Sequence, residues 1–187
     1  MEVTETKLSG VRIIDPVVHG DERGFFVETF HADRYRDAGI DVEFVQDNHS
    51  RSSQGTLRGL HAQIAHPQAK LVRAVHGEIL DAVVDIRRGS KTFGQWLAVT
   101  LSAANFRQLY VPTGFAHGFC VLSETAEVEY KCSDIYDPAS ELTLLWNDPE
   151  IGIEWPITEP ILSAKDAGGD PLSSWKDRLP DWDCATR

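Results

Sequence analysis

The sequence is short of positive charge, of cysteine and of long apolar runs, and each shortage removes a class of function. Its 18 lysines and arginines face 29 aspartates and glutamates, a formal charge of −11. That balance argues against a nucleic-acid partner or an anionic membrane surface. No apolar run approaches the roughly 18 residues that a membrane helix needs. Met1 to Gly10 is polar and acidic, unlike a secretory signal, so a cytoplasmic location is expected. Cys120, Cys132 and Cys184 are odd in number and lack metal-ligand or redox spacing, so they read as buried or incidental thiols. Internal repeats and low-complexity linkers are absent too. At 187 residues the chain suits one domain, 1–187. Its core is expected over about 10–156, and the proline-punctuated segment 157–187 should pack back on the body through Trp175 and Trp182.

Helical signal is also scarce. His31 to Ala38, closed by Gly39, is the best candidate. Short apolar runs between Gly, Pro, Asn and Ser punctuation dominate instead, the pattern of a sandwich or small barrel. They predict strands at Val11–Ile14, Phe25–Phe30 and near 43–48, 56–63, 70–76, 78–86, 95–101, 107–111, 117–122, 126–132 and 142–146. The expected fold is an all-β double-sheet jelly roll with short peripheral helices. Alternation directs Val128 and Tyr130 inward and Glu127, Glu129 and Lys131 outward, and it puts Lys70 on the inward face with Val72 and Ala74. Arg58 and His61 are an odd number of residues apart, so a regular strand sends them to opposite faces. For both to serve one pocket, Gly59 must mark a bulge or Arg58 must act from the strand's edge.

Charge is unevenly spread. Residues 51–120 carry 3 acidic and 8 basic side chains, against 11 and 5 in residues 1–50. An anionic small molecule could be held in that cationic third, although chance clustering on a solvated face would look the same. His61, Lys70, Tyr130 and Asp166 form a possible acid–base set: a neutral imidazole to take a proton, a carboxylate to orient it, an ammonium for a developing enolate oxygen, a phenol to return a proton. Alone, each has a blander reading as a core or packing residue. Arg23 and Arg58 suit a diphosphate or a surface salt bridge, and Tyr136 could stack on a nucleobase or cover a core edge. His61, His76 and His117 invite a metal reading, but the position that would add a second histidine beside His61 reads Ala62-Gln63, so no metal is expected.

The motifs together resemble a known family. Asp21-Glu22-Arg23-Gly24-Phe25-Phe26, Phe44-Val45-Gln46-Asp47-Asn48-His49-Ser50, Leu57-Arg58-Gly59-Leu60-His61, Val83-Val84-Asp85-Ile86-Arg87, Thr92-Phe93-Gly94-Gln95-Trp96, Pro112-Thr113-Gly114-Phe115-Ala116-His117-Gly118-Phe119, Trp146-Asn147-Asp148-Pro149 and Leu162-Ser163-Ala164-Lys165-Asp166-Ala167 look like dTDP-4-dehydrorhamnose 3,5-epimerase. The resemblance covers about Gly10 to Pro171. It implies a metal-free, cupin-like jelly roll, homodimeric and without cofactor. The implied reaction epimerises dTDP-4-dehydro-6-deoxy-D-glucose at C3 and C5. It implies His61 as general base, Asp166 as its partner, Lys70 as enolate stabiliser and Tyr130 as proton donor. The implied nucleotide-sugar contacts are Arg23, Glu28, Gln46, Asn48, Arg58, His117, Glu141 and Lys165, with Tyr136 stacked on thymine. Two departures stand out. Ala62 replaces a common Phe, which predicts a roomier or rearranged pocket, and Ala164, where the family often has Asp, with Gly168-Gly169 predicts a more mobile loop around Asp166. Epimerisation at C3 or C5 alone, a metal-dependent cupin enzyme and a non-catalytic sugar-binding jelly roll are the alternatives.

Overall fold

The computed structural model describes residues 1–179. The chain forms β1 (Glu2–Glu5), β2 (Arg12–Asp15), a hairpin of β3 (Val18–Asp21) and β4 (Gly24–Val27), and α1 (Ala32–Asp37). There follow β5 (Gln46–Ser53), β6 (Leu57–Gln63), β7 (Lys70–His76), β8 (Glu78–Asp85), β9 (Trp96–Ser102), β10 (Gln108–Val111), β11 (Phe115–Val121), β12 (Thr125–Cys132) and β13 (Glu141–Thr143). Two helical turns, α2 (Ala164–Ala167) and α3 (Leu172–Trp175), come last. The strands make two sheets, ordered β1-β2-β10-β7-β12-β5 and β13-β6-β11-β8-β9, with β3-β4 as a separate ribbon. This is the cupin-like double-sheet jelly roll expected from the sequence.

Alternation explains the layers. Val72, Ala74, Ile79, Val83, Phe119 and Val128 face the space between the sheets and form the main core. The opposite face of β6, β8 and β11 is covered as well: Leu60, Ala62, Val84 and Ala116 lie under Leu172, Trp175 and Leu179. On the other sheet, Leu71 and Tyr110 lie under Tyr35 of α1 and Ile40. Burying a side chain such as Leu60 contributes about 1.5–3 kcal/mol. Trp175 therefore packs as expected, although the segment expected to be irregular contains α2 and α3. Trp182 and Cys184 lie outside the described residues. Cys120 and Cys132 are buried, unpaired thiols.

The strands from β6 to β12 fall within two residues of their expected positions. Near the N-terminus the agreement is looser. β1 and β3 are polar four-residue strands with no apolar signal to read, and the run expected over Phe25–Phe30 stops at Val27. β5 lies later than expected because its burial alternates while its hydrophobicity does not: Gln46, Asn48 and Ser50 are half-buried between exposed Asp47, His49 and Arg51.

β6 is irregular at the predicted point. His117 lies opposite His61 but Phe119 opposite Arg58, so β6 carries one residue more than β11 there. The Gly59–Leu60 peptide is cis. Gly59 has φ +114°, and a Cβ on it would sit 2.5 Å from the Gly118 Cα and 2.7 Å from the His117 carbonyl oxygen. Only glycine fits that approach. Gly59→Ala is expected to cost about 2–4 kcal/mol from forced φ and overpacking combined, read as a lower urea midpoint at unchanged m-value.

Candidate active site

Between the sheets lies a cavity of about 400 Å³. Gln46, Asn48 and Ser50 of β5, Lys70 of β7 and Tyr130 of β12 line one wall, all from the six-stranded sheet. Arg58 and His61 of β6 and His117 of β11 line the facing wall, from the five-stranded sheet. Tyr136, Glu141, Lys165 and Asp166 complete the rim. The bulge is what lets Arg58 and His61 share this cavity. Arg58 also reaches back to donate from Nε to the Ser52 hydroxyl at 2.9 Å.

His61 and Asp166 form a tight pair, with Nε2 to Oδ1 at 2.6 Å. Asp166 is 4% exposed. Its other oxygen accepts from the Ser163 hydroxyl at 2.7 Å, and its backbone N–H donates to that same hydroxyl at 3.1 Å, capping α2. Burial raises the Asp166 carboxyl, but the bonds from His61 and Ser163 and the Gly59 amide outweigh it and hold the group below its ordinary range. An ionised Asp166 only accepts, so the proton on the His61 ring sits on Nε2 and Nδ1 keeps its lone pair. Glu141 lies 3.9 Å from that Nδ1. The loop bearing Asp166 is pinned rather than slack. A Cβ on Gly169 would meet the Leu144 carbonyl oxygen at 2.6 Å, so the glycine serves a close backbone approach.

The opposite wall holds a cation and a phenol. Lys70 Nζ lies 6.0 Å from the Tyr130 ring centroid, and among the described residues its ammonium makes no hydrogen bond or ion pair. Burial pushes the ammonium down from its ordinary value, an effect that Cys132, Glu141 and Asp81 oppose only in part. Burial also pushes the Tyr130 phenol up, which keeps its proton in place near neutrality. Glu141 ties the rim together, accepting from Lys165 at 2.9 Å and from the Tyr136 hydroxyl at 3.1 Å.

His117 holds a partner that the sequence reading missed. Its Nε2 lies 2.7 Å from Asp81 Oδ1, with Asp81 fully buried and its Oδ2 unpartnered among the described residues. A charged residue inside the apolar run Ile79-Leu80-Asp81-Ala82-Val83-Val84 was the available signal. Ser163 was missed as well, although its spacing to Asp166 is that of a helix cap.

Eleven of the thirteen expected site residues line the cavity; Arg23 and Glu28 do not. Arg23 is paired with Asp21 at the tip of the β3-β4 hairpin, and Glu28 accepts from Arg34 at 2.7 Å. The three histidines suggested for a metal do not converge. His61 and His117 face each other across the strands, each bound to its own aspartate, while His76 is exposed opposite Glu127. No three His, Cys, Asp or Glu side chains among the described residues gather to hold an ion. Ala62 borders the cavity and also belongs to the outer core cluster with Leu60 and Leu142.

A cationic cavity with a histidine–aspartate pair facing a lysine and a tyrosine fits the resemblance of the motifs, and comparison with known proteins decides it. The family model for dTDP-4-dehydrorhamnose 3,5-epimerase matches residues 5–174. The chain belongs to this family. The dTDP-4-dehydrorhamnose 3,5-epimerase of Shigella flexneri is 54% identical over 171 residues, covering 90% of this chain and 94% of its own length. The Neisseria gonorrhoeae protein of that name is 51% identical over 188 residues, and the chain spans 57% of its length. Among solved structures, dTDP-6-deoxy-D-glucose-3,5-epimerase from Legionella pneumophila, in complex with dTDP-4-keto-L-rhamnose, is 48% identical. It superposes with a TM-score of 0.95 over 98% of this chain and 99% of that one. The chain is thus similar to 3,5-epimerases in sequence and fold alike.

Proposed function

We propose that the chain epimerises dTDP-4-dehydro-6-deoxy-D-glucose at C3 and C5 to dTDP-4-dehydro-L-rhamnose, in dTDP-rhamnose biosynthesis, acting as one domain over 1–187 in the cytoplasm and without a cofactor. One observation carries the reading: His61 and Tyr130 belong to opposite sheets and face one cavity. Inverting a carbon requires a proton to leave one face and another to arrive on the other. A hydrogen beside the C4 ketone is acidic only if the resulting enolate is stabilised. His61 Nδ1 takes that proton, and ionised Asp166 stabilises the imidazolium formed. The C4 oxygen becomes an enolate against the Lys70 ammonium. Tyr130 then delivers its proton to the opposite face of the carbon, and solvent restores both residues. Gln46, Asn48, Arg58, His117, Glu141 and Lys165 hold the nucleotide sugar, with Tyr136 against the thymine. Incubation with the 4-keto sugar nucleotide in heavy water, followed by NMR at C3 and C5, tests this. Deuterium is expected at both carbons. Uptake at one carbon selects the C3-only or C5-only alternative, and none at either removes the epimerase reading.

Arg23 and Glu28 fit the same site if a second copy supplies them. Arg23 turns a hairpin that pairs with neither sheet and Glu28 follows it directly; the hairpin carries Phe25, edge-on to Phe106 yet 64% exposed, and Phe26, 70% exposed. Two adjacent aromatics this exposed suit an interface. We therefore read the protein as a homodimer in which each hairpin completes its partner's cavity. Inactive Arg23→Ala and His61→Asn chains, mixed and allowed to exchange, should then recover activity. Half of the dimers are mixed and each has one intact site, so about a quarter of the wild-type rate is expected. No recovery would return Arg23 to its own chain.

A further inference from the structure

The loop carrying Tyr136 has no regular structure, yet three glutamine side chains bond its backbone at successive groups. Gln68 Nε2 donates to the Asp134 carbonyl at 2.7 Å. Gln46 Oε1 accepts from the Tyr136 N–H at 2.9 Å. Gln63, only 7% exposed on β6, does most: its Oε1 accepts from the Asp137 N–H at 2.8 Å, and its Nε2 donates to the Ile135 carbonyl at 3.3 Å and the His66 carbonyl at 2.6 Å. The partners fix the amide's orientation, because a backbone N–H can meet only the oxygen and two carbonyls only the nitrogen.

We infer that Gln63 is a positioning residue for nucleotide binding, holding Tyr136 as a pre-formed platform for the base. This rests on the nucleotide-sugar reading above. Gln63 bonds the backbone on both sides of Tyr136, at Ile135 and Asp137, and so fixes the direction of a ring that is itself 48% exposed. A surface loop of this kind otherwise gives its backbone groups to water and samples many conformations. A platform ordered in advance spares the ligand the cost of ordering it. Gln63 shares its strand with His61 and faces the same cavity, so the clamp also sets the base site at a fixed register from the catalytic histidine.

A double-mutant cycle on dTDP affinity, by calorimetry on the full chain, tests this. Gln63→Met keeps the side chain's length and removes all three bonds. Gln63→Glu keeps the acceptor for Asp137 but sets oxygen against two carbonyls. Both should retain the wild-type circular dichroism spectrum. Tyr136→Ala should weaken dTDP about tenfold, the typical loss for one aromatic stacking partner. Gln63→Met should weaken it about threefold or more by disordering that partner. The double variant should match Tyr136→Ala within about twofold, because Gln63 has nothing left to position. In turnover, the loss from Gln63→Met should fall on KM rather than kcat. Losses that multiply in the double variant, or Gln63→Met binding as tightly as wild type, would overturn the inference while leaving the nucleotide reading intact. Wild-type protein that fails to bind dTDP would overturn both.

Discussion

His61→Asn should lower kcat by at least about 10³-fold, towards the upper range for losing a general base, with KM changed far less. The imidazole is the group with a free ring nitrogen facing the cavity and a carboxylate at 2.6 Å behind the other nitrogen. Asparagine can still bond to Asp166 but has no comparable lone pair to accept a proton at neutral pH. The fold should survive, because His61 is only partly buried and its strand is held by β11 and β13 on either side. Steady-state kinetics with the 4-keto sugar nucleotide checks the size of the loss, and a circular dichroism melt checks the fold. A kcat within about tenfold of wild type, where general bases contribute 10²–10⁴, would move the base elsewhere.

Lys70→Met should lose about 10²–10³-fold in kcat, the range found when one donor to a developing oxyanion is removed, and yet give a more stable protein. Both effects follow from one fact. Burial holds the Lys70 ammonium below its ordinary value, so keeping it charged costs the fold stability. For a base whose folded pKa is depressed, that cost is full below the folded value and falls away as pH rises towards the unfolded one. A methionine of similar length avoids it, and the urea midpoint should rise. The same shift sets the alkaline limit of activity: turnover that needs charged Lys70 should fall at a lower pH than an ordinary lysine would allow. A Lys70→Met chain less stable than wild type would show that burying the ammonium carries no cost, and one still fully active would show that the ammonium is not needed.

Much of this site was legible because its residues break the rules of a packing strand. Lys70 shares a face with Val72 and Ala74, and a lysine pointed into a barrel needs a reason. The odd spacing of Arg58 and His61 required an irregularity at Gly59, and the register shift lies there. Other parts carried no local signal. β5 uses polar side chains on both faces, since its inner face lines the polar cavity, so hydrophobic alternation could not locate it. α2 and α3 are four residues each, too short for a helical period to register. Asp81 and Gln63 act through partners far along the chain, at His117 and at 135–137, and only the folded sheets bring those together. Arg23 suited a diphosphate by its guanidinium, but no strand pattern could tell that its hairpin would lie outside this chain's cavity.

The opposite-wall arrangement of base and acid is tested most directly by comparing deuterium uptake with inversion in two variants, Tyr130→Phe and His61→Asn, each incubated with the 4-keto sugar nucleotide in heavy water. His61→Asn should lose uptake and inversion together. Tyr130→Phe should still exchange the hydrogens beside the ketone through His61, returning deuterium to the face from which the proton left, while forming inverted product at least about 10²-fold more slowly, the lower range for a lost general acid. Inversion at the wild-type rate in Tyr130→Phe, or uptake at the wild-type rate in His61→Asn, would contradict it.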